Sequence, residues 1–362
     1  MSPLTLEAAP LNAPHEAAAQ QAVHVRELGS ADFARWDAFV SQCPQATFFH
    51  RAGWKAVIER AFGHRTSFLY AEAGGRIEGV LPLARMKSLL FGHTLVSLPF
   101  CVYGGIAATT ERAGRALDAA ACALAHELRV DHLEYRNREL QHADRAHKDL
   151  YVTFRKALDP DPERNLLAIP RKQRAMVRKG IKAGLTSAIE RGVGRFFEAY
   201  SASVHRLGTP VFSGRYFEIL TEVFGDDCEV LTVNRNGRLV AGVLSFYFRD
   251  EVLPYYGGGT AAAREVAGND FMYWEVMRRA CERGMRVFDY GRSKRGTGSY
   301  DFKKNWGFEP QPLHYEYLLV RGRQVPDHNP LNPKYDRFIK LWQRLPLPVA
   351  NMIGPHIVKS IG

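Results

Sequence analysis

The chain has 362 residues, and 46% of them are apolar, 24% charged and 11% aromatic. This composition is typical of soluble globular proteins, so it excludes disorder for most of the chain, and the length predicts two domains or one large one. No apolar run reaches the roughly 18 residues that a membrane-spanning helix needs, and five scattered cysteines without a Cys-x-x-Cys pair argue against a zinc site and favour a cytoplasmic protein.

The first half of the chain alternates predicted strands and helices. It opens with a short strand at residues 23–28, and a Gly74-Gly75 turn between two apolar segments predicts a hairpin. The predicted helices cover residues 32–40, 52–62 and 111–128, and the further strands cover residues 67–71, 77–84, 94–98, 133–136 and 152–156. We expect the last two strands to close the sheet of this half.

The second half repeats this order, beginning with a basic helix at residues 171–183. Further helices are predicted at residues 194–206, 213–224 and 269–283, and strands at residues 185–190, 229–233, 239–249, 251–256, 287–290 and 314–320. The last of these strands is expected to close the second sheet.

The repeated order of elements predicts two tandem mixed α/β domains. They meet in a linker rich in Asp and Pro near residues 157–170. We therefore divide the chain into a disordered leader at residues 1–22, a first domain at residues 23–160, a second domain at residues 164–325 and a helical tail at residues 326–362.

Positive charge is concentrated in three segments. The chain has a net charge of +11, whereas residues 164–184, 292–304 and 334–362 contribute +7, +4 and +4. Such segments favour an anionic partner, although each one alone is also consistent with a solvated surface. In the first segment, Arg171, Arg174 and Arg178 fall on one face of the predicted helix. That spacing suits a phosphate, and the alternative is an exposed basic helix.

Two glycine-rich segments carry further candidate binding residues. Arg292 and Lys294 lie in a loop with three glycines that follows an apolar strand, a combination suited to an anion. Tyr256 stands at the glycine-rich end of an earlier strand, and Asn269 and Glu275 belong to the helix after it. A helix start of this kind favours an anionic or carbonyl group, with plain helix capping as the alternative. Because no His-Glu-x-x-His or paired-histidine spacing occurs, we expect a mechanism without a metal.

These motifs occur in the order and approximate spacing of the Fem-type aminoacyltransferases, the peptidoglycan-bridge enzymes built from two GNAT-like acyltransferase domains. The matching segments are the basic helix Arg171–Lys182, the strand end at Tyr256–Gly258, Asn269–Glu275, Phe288–Gly291, Phe302–Phe308 and, in the first half, Phe48-Phe49-His50 with Trp54 and Pro82-Leu83. Over about residues 23–320 the sequence most resembles the FemAB-like proteins associated with exosortase/PEP-CTERM systems and exopolysaccharide clusters.

The resemblance implies a cytoplasmic transferase that moves an acyl or aminoacyl group onto an amine. It implies no tightly bound cofactor, and an activated donor (aminoacyl-tRNA, acyl-CoA or acyl-carrier protein) as co-substrate. The implied acceptor is an anionic small molecule or a lipid-linked glycan of the cell envelope. His50-Arg51 stands where the Fem enzymes usually have a Gln-Ser pair, and residues 264–268 are a poor version of a coenzyme A loop.

The resemblance also assigns roles to single residues. In the family, the Lys of the Phe-Lys pair stabilises the transition state, which implies that role for Lys303 with Phe302 beside it. The candidate substrate-binding residues are Arg171, Arg174, Arg178, Tyr256, Asn269, Glu275, Arg292, Lys294, His50 and Trp54. Acyl transfer to an amine passes through a tetrahedral oxyanion, which a cation can stabilise. Asp289, at the end of an apolar strand, is either a general base or a residue that holds the loop.

Two other functions fit the same residues. Basic segments with aromatic residues are also typical of proteins that bind single-stranded nucleic acid. A catalytically degenerate acyltransferase that acts as an assembly factor is the second alternative.

The tail has an amphipathic pattern of its own. Phe338, Ile339 and Trp342 gather on one face of a predicted helix at residues 334–345, with cations on the other. Such a helix is typical of a peripheral membrane anchor. The alternative is that its apolar face packs back onto the second domain.

Overall fold

The computed structural model describes residues 22–88, 92–325 and 336–361. The predicted leader at residues 1–22 therefore lies outside the described residues except for Ala22, as do residues 326–335 of the predicted tail. No helix in the described part of the chain combines the length and apolarity that crossing a membrane requires.

The first half contains the predicted elements with small changes at their ends. Its helices are α1 (Phe33–Gln42), α2 (Gly53–Phe62) and α3 (Glu111–Glu127), and its strands are β1 (His24–Glu27), β2 (Arg65–Ala73), β3 (Arg76–Ser88), β4 (Gly92–Ser97), β5 (Ala107–Ala108), β6 (His132–Asn137) and β7 (Ala146–Lys148). The β2–β3 hairpin turns at Gly74 and Gly75 with φ angles of 55° and 76°. Two central residues with positive φ match the right-handed twist of paired strands, which is why glycines occupy this turn.

The rest of the chain contains the predicted elements and several that were not predicted. After β7 it forms β8 (Tyr151–Ala157), α4 (Pro162–Ala168), α5 (Arg171–Lys182), β9 (Thr186–Glu190), α6 (Gly194–Arg206), α7 (Gly214–Phe224), β10 (Cys228–Arg235), β11 (Arg238–Phe248), β12 (Glu251–Gly259), α8 (Gly268–Glu282), β13 (Val287–Asp289), β14 (Ser293–Lys294), α9 (Gly298–Asn305), β15 (Pro310–Pro312), β16 (His314–Leu319), α10 (Asp336–Trp342) and α11 (Leu347–Val358). Helices α4, α9 and α11 and strands β14 and β15 are not among the predicted elements. The β10–β11 turn at Asn236 and Gly237 again has two positive φ angles, 50° and 75°.

The two sheets exchange their closing strands. The first sheet has the order β1-β2-β3-β4-β6-β16-β7, and the second has the order β14-β8-β13-β12-β11-β10-β9. The prediction that residues 152–156 close the first sheet and residues 314–320 the second is therefore wrong. The alternation of a strand predicts which side chains are buried, but both sheets offer the same kind of edge, so the pattern does not predict the partner strand.

A shared aromatic core joins the two halves. Phe48 stacks on Phe246 of β11 with ring centroids 4.4 Å apart, and Trp54 of α2 lies 5.2 Å from Phe224 of α7. Trp54 is fully buried, and its indole N–H donates to the carbonyl of Phe48. Removing such a side chain from a core costs about 3–5 kcal/mol. Trp54 thus connects the halves, and the structure gives it no place at a substrate cavity.

The tail packs against the second domain. Trp342 and Ala350 are buried, and Gly354 lies so close to Val211 that a Cβ there would be 2.9 Å from its backbone nitrogen. The carbonyl of Trp342 also accepts a hydrogen bond from the His205 ring. The tail therefore packs on the second domain, which is one of the two arrangements that the sequence allowed. Part of its apolar surface stays exposed.

Strand β16 carries a fully buried carboxylate, Glu316, which is held by His142. The His142 Nδ1 lies 2.6 Å from Glu316 Oε2, and its other ring nitrogen faces Asp118 at 3.5 Å. Hydrogen bonds to Asp118 and Glu316 raise the pKa of His142 to about 9. The imidazolium therefore helps to fix the exchanged strand in the first sheet.

The raised pKa of His142 predicts a loss of stability in alkaline solution. A group with a raised pKa contributes fully below its unfolded value of about 6.5 and loses that contribution as pH rises through its folded pKa. We expect the free energy of unfolding, measured by urea titration, to fall by about 1 kcal/mol between pH 7 and 9.5, allowing for solvent screening. His142→Asn should start lower and change less over this range, and parallel curves for the two proteins would contradict the assignment.

Candidate functional site

A cavity opens where two parallel strands of the second sheet separate. β12 and β13 are paired at only two positions, Glu251 with Val287 and Val252 with Phe288. Beyond them, Pro254 has no N–H to donate to a neighbouring strand, and a bulge at Tyr255 bends β12. Residues 254–257 on one side and residues 290–292 on the other then line a cavity of about 370 Å³. The sequence of β12 therefore creates the opening.

Aromatic side chains from both halves form the walls of this cavity. The lining residues from outside the two strands are Phe100, Val102, Tyr200, Phe212, Tyr273, Ser299, Lys303, Val358 and Ile361. Tyr255 donates to the carbonyl of Phe100 at 3.0 Å, and the Tyr256 and Tyr216 hydroxyls lie 2.8 Å apart. The cavity thus depends on the first domain and on the tail as well as on the second sheet.

Lys303 reaches the cavity from helix α9. Its Nζ donates to the carbonyls of Gly291 and Arg292 at 3.0 Å and 3.1 Å. Burial lowers the pKa of Lys303 to about 7, against the opposing effect of the Asp289 charge. An ammonium has three N–H donors, so one remains beyond the two carbonyls. Lys303 can therefore donate to a group in the cavity and change its charge near neutral pH.

Arg292 places a second cation at the same cavity. Its guanidinium stacks over the Tyr151 ring at 4.7 Å and donates to the Tyr315 hydroxyl at 3.0 Å. In the part of the chain that the structure describes, no carboxylate lies within salt-bridge distance of Arg292, whereas the nearby Arg136 pairs with Glu134 at 2.8 Å. Lys303 and Arg292 therefore place two positive charges at the cavity, which favours an anion or a developing oxyanion there.

Asp289 holds the loop between these two cations. Its carboxylate accepts hydrogen bonds from Tyr103 at 2.9 Å, Thr153 at 3.2 Å, Arg155 at 2.9 Å and the Gly291 N–H at 2.7 Å. It is 1% exposed and is not among the residues that line the cavity. Of the two roles that the sequence offered, this geometry supports the loop-holding role, and the general-base role stays a prediction.

Three other predicted residues of the second domain also lie away from the cavity lining. Phe302 packs against Tyr273 with centroids 5.6 Å apart and so positions α9. Glu275 accepts from Ser187 at 2.6 Å and pairs with Arg278, which makes it part of a structural ion pair. The Asn269 side-chain oxygen is buried beside Gly259 without a hydrogen-bond partner.

The basic helix forms, but its arginines point away from the cavity lining. Arg171 and Arg178 are exposed on α5, and Arg174 donates to the carbonyl of Leu167 at 2.7 Å. Lys294 lies over the Tyr151 ring at 5.6 Å, on the other side of the loop from Lys303. The phosphate-binding role of these residues stays a prediction.

The matching opening of the first sheet is filled by its own chain. β4 and β6 separate after Val96 and Glu134, as β12 and β13 do. Here the loop at residues 98–106 enters the gap, and Gly104 and Gly105 donate to the carbonyl of Arg136. Leu98 and Phe100 in this loop have φ angles of 59° and 67°, a conformation that costs energy for residues other than glycine. In the described part of the chain, the loop thus occupies the place in the first sheet that corresponds to the cavity of the second.

His50 holds the loop at residues 98–106 in place by a hydrogen bond. Its Nε2 lies 2.8 Å from the Gly105 carbonyl, and its Nδ1 lies 3.1 Å from the Thr47 backbone nitrogen. Burial lowers the pKa of His50 to about 4, so the ring is neutral at pH 7. It lines a smaller cavity of about 220 Å³ in the first domain. His50 and Trp54 thus do not line the cavity that holds Lys303, and their substrate-binding role stays a prediction.

Sequence reasoning missed most of the cavity wall. Tyr255, Tyr273 and Tyr290 lie in or beside the matching motifs but were not chosen as site residues, because a tyrosine on a predicted strand or helix is most simply taken as core. Phe100, which also lines the cavity, was not chosen either. Pro254 was the available signal, since a proline inside an apolar strand marks a break in pairing. The described residues also include no group of three or more His, Cys, Asp or Glu side chains that could hold a metal ion.

Comparison with known proteins identifies the fold. Residues 171–304, from the start of α5 to α9, match the family model described as acetyltransferase (GNAT) domain. The solved structure of FemX is 15% identical with a TM-score of 0.65, covering 87% of this chain and all of that one. The chain has a tandem GNAT fold.

Two further solved structures share this GNAT architecture. A tandem GNAT protein from the clavulanic acid biosynthesis pathway is 14% identical with a TM-score of 0.52, over 84% of this chain and 100% of that one. The C-terminal domain of a putative lysylphosphatidylglycerol synthetase from Agrobacterium fabrum is 12% identical with a TM-score of 0.55, over 80% and 92% of the two chains. A search of curated protein sequences found no match.

The loop-holding role of Asp289 predicts a stability effect for Asp289→Asn. Hydrogen bonds to a buried charge contribute about 1.5–3 kcal/mol each, so we expect the free energy of unfolding to fall by about 2–3 kcal/mol. If the rate rises with pH on the acidic side of neutrality, that rise should be the same in this variant as in the wild type. Unchanged stability together with loss of this rise would instead identify Asp289 as the general base.

Proposed function

We propose that this protein is an acyl- or aminoacyltransferase that moves an acyl group from an activated donor to an amine on an anionic acceptor. The observation that carries the proposal is the opening between β12 and β13, which presents Lys303 and Arg292 to one cavity. A GNAT domain in the same residues supports it.

In this proposal the acyl carbonyl lies between the separated strands. Attack by the amine forms the new C–N bond and turns the carbonyl oxygen into an oxyanion, to which the third N–H of Lys303 donates. When the intermediate collapses, the bond from the acyl carbon to the donor's leaving group breaks, and the proton of the amine passes to that leaving group. Removing one such donor from an acyl-transfer site typically costs about 2.7–4 kcal/mol of transition-state stabilisation. Because Gly291 and Arg292 hold Nζ by two hydrogen bonds, the donor is fixed before the reaction begins.

The donor is best accommodated at the glycine-rich end of β12. Proteins with a GNAT fold normally use acyl-CoA, whose phosphates need hydrogen-bond donors. Arg206 supplies donors at this place: it donates to the carbonyl of Gly259 at 3.1 Å, and its buried Nε has no hydrogen-bond partner among the described residues. Aminoacyl-tRNA and acyl-carrier protein are the other donors that the sequence predicts.

The acceptor class is proposed from charge. Arg292 is fixed at the cavity without an acidic partner, which suits a phosphate or carboxylate near the reacting amine. One structural neighbour is named a putative lysylphosphatidylglycerol synthetase, and another is FemX. We propose a phosphate-bearing cell-envelope or exopolysaccharide intermediate as acceptor. The association with exosortase/PEP-CTERM systems and independence from metals stay predictions.

The pH dependence of turnover tests the role of Lys303. Because the cation stabilises the oxyanion, we expect the rate with a saturating donor and a weakly basic acceptor to fall as pH rises through about 7, where Lys303 loses its proton. Lys303→Arg should lose this falling limb, since arginine stays charged. Lys303→Ala should reduce turnover by about 10²-fold or more with an unchanged melting temperature.

Three outcomes would contradict the proposal. A rate that rises through pH 7 and depends on Lys303 would make the neutral amine a base. An alanine variant that keeps full turnover would remove Lys303 from the reaction. No transfer from any of the three donor classes would favour the assembly factor or the nucleic-acid-binding alternative.

A further inference from the structure

Exposed apolar side chains are concentrated in the tail. Ten large apolar residues are exposed among those described, and five of them lie within residues 336–361. These five are Phe338, Leu341, Met352, Ile353 and Ile361. Leu341 and Met352 are the most exposed, at 64% and 67%. Single exposed apolar residues are normal on a protein surface, but a group of this size in one short segment marks an interaction site.

The same two helices carry exposed positive charge. Arg337, Lys340, Arg344 and Lys359 are exposed, and no Asp or Glu occurs at residues 337–361. A protein core or a neutral partner would not select four cations around apolar side chains. An anionic lipid surface does select this combination, because apolar groups enter the acyl boundary while cations contact the headgroups.

The exposed apolar side chains are not simply an unpacked core. The tail already buries Trp342 and Ala350 against the second domain, and Gln343 donates to the carbonyl of Arg206 at 2.9 Å. Ile339 contacts Gly208 so closely that a Cβ on that glycine would be 2.4 Å from its side chain. The inner side of the tail is therefore fixed, and the five exposed side chains are not part of these contacts. We name Phe338, Leu341, Met352, Ile353 and Ile361 the apolar face of the tail.

The end of the tail also borders the cavity. Val358 and Ile361 line it, and Ile361 belongs to the apolar face as well. The carbonyl of Lys359 lies 2.8 Å from the His64 ring nitrogen, which ties the tail to the first domain. Any surface that binds the apolar face of the tail therefore lies next to the rim of the cavity.

We propose that residues 336–361 dock on an anionic phospholipid bilayer through this apolar face and its cations. Docking places the rim of the cavity at the lipid headgroups. If the protein is the proposed transferase, docking also means that a membrane lipid carries the amine acceptor. This conclusion about the acceptor rests on the proposed function.

Vesicle flotation with the full-length protein tests the docking. The vesicles contain either 30% phosphatidylglycerol in phosphatidylcholine or phosphatidylcholine alone. We expect binding to the anionic vesicles, and at least tenfold weaker binding to the neutral ones. Leu341→Glu with Met352→Glu should reduce binding to the anionic vesicles at least tenfold, because both changes put a charge into the apolar boundary.

Matched variants distinguish binding through the tail from nonspecific adsorption to vesicles. Leu167→Glu changes a side chain that is 59% exposed on α4, next to the basic helix, and should leave vesicle binding unchanged. Lys340→Glu alone should weaken binding to anionic vesicles without affecting the melting temperature. Wild-type protein that fails to float with anionic vesicles would overturn the proposal, as would an equal loss in the Leu167 and tail variants.

The readout is independent of the transferase assay. Vesicle binding with no transfer would keep the docking proposal and reject the enzymatic one. Transfer to a soluble amine without vesicle binding would do the reverse.

Discussion

The structure depends on the exchange of one strand between the two sheets in each direction. β8 lies between β13 and β14 of the second sheet, and β16 lies between β6 and β7 of the first. Each sheet therefore completes its hydrogen bonds with a strand from the other half of the chain. Since an unpaired strand edge is unfavourable, neither half can satisfy its sheet alone. The exchange makes the two tandem domains one folding unit.

The exchanged strands also hold the candidate site. Thr153 and Arg155 of β8 donate to Asp289, which in turn binds the Gly291 N–H. Tyr315 of β16 accepts from Arg292 and donates to the carbonyl of Val102 in the first domain. The loop that supplies two carbonyls to Lys303 is thus fixed from both sheets. A buried lysine with a pKa of about 7 is the electrostatic consequence of this enclosure.

The sequence predicts elements better than it predicts their partners. Periodicity and turn glycines located most of the helices and strands, because these signals are local, but not α4, α9, α11, β5, β7, β14 and β15. The strand exchange could not be predicted, because nothing in residues 152–156 distinguishes one sheet edge from another. Among the site residues, Lys303, Arg292 and Tyr256 do line the cavity. His50 and Glu275 do not line this cavity. The sequence cannot distinguish them from binding residues, because a buried polar side chain with a backbone or ion-pair partner gives the same signal.

The central claim is that the donor occupies the opening of the second sheet, while the equivalent opening of the first is filled by residues 98–106. Hydrogen–deuterium exchange of the full-length protein with and without acetyl-CoA tests this most directly. The account predicts slower exchange at residues 254–259 and 290–303 and no change at residues 97–106 and 134–138. Protection of the first-domain segments instead, or of neither pair of segments, would contradict it.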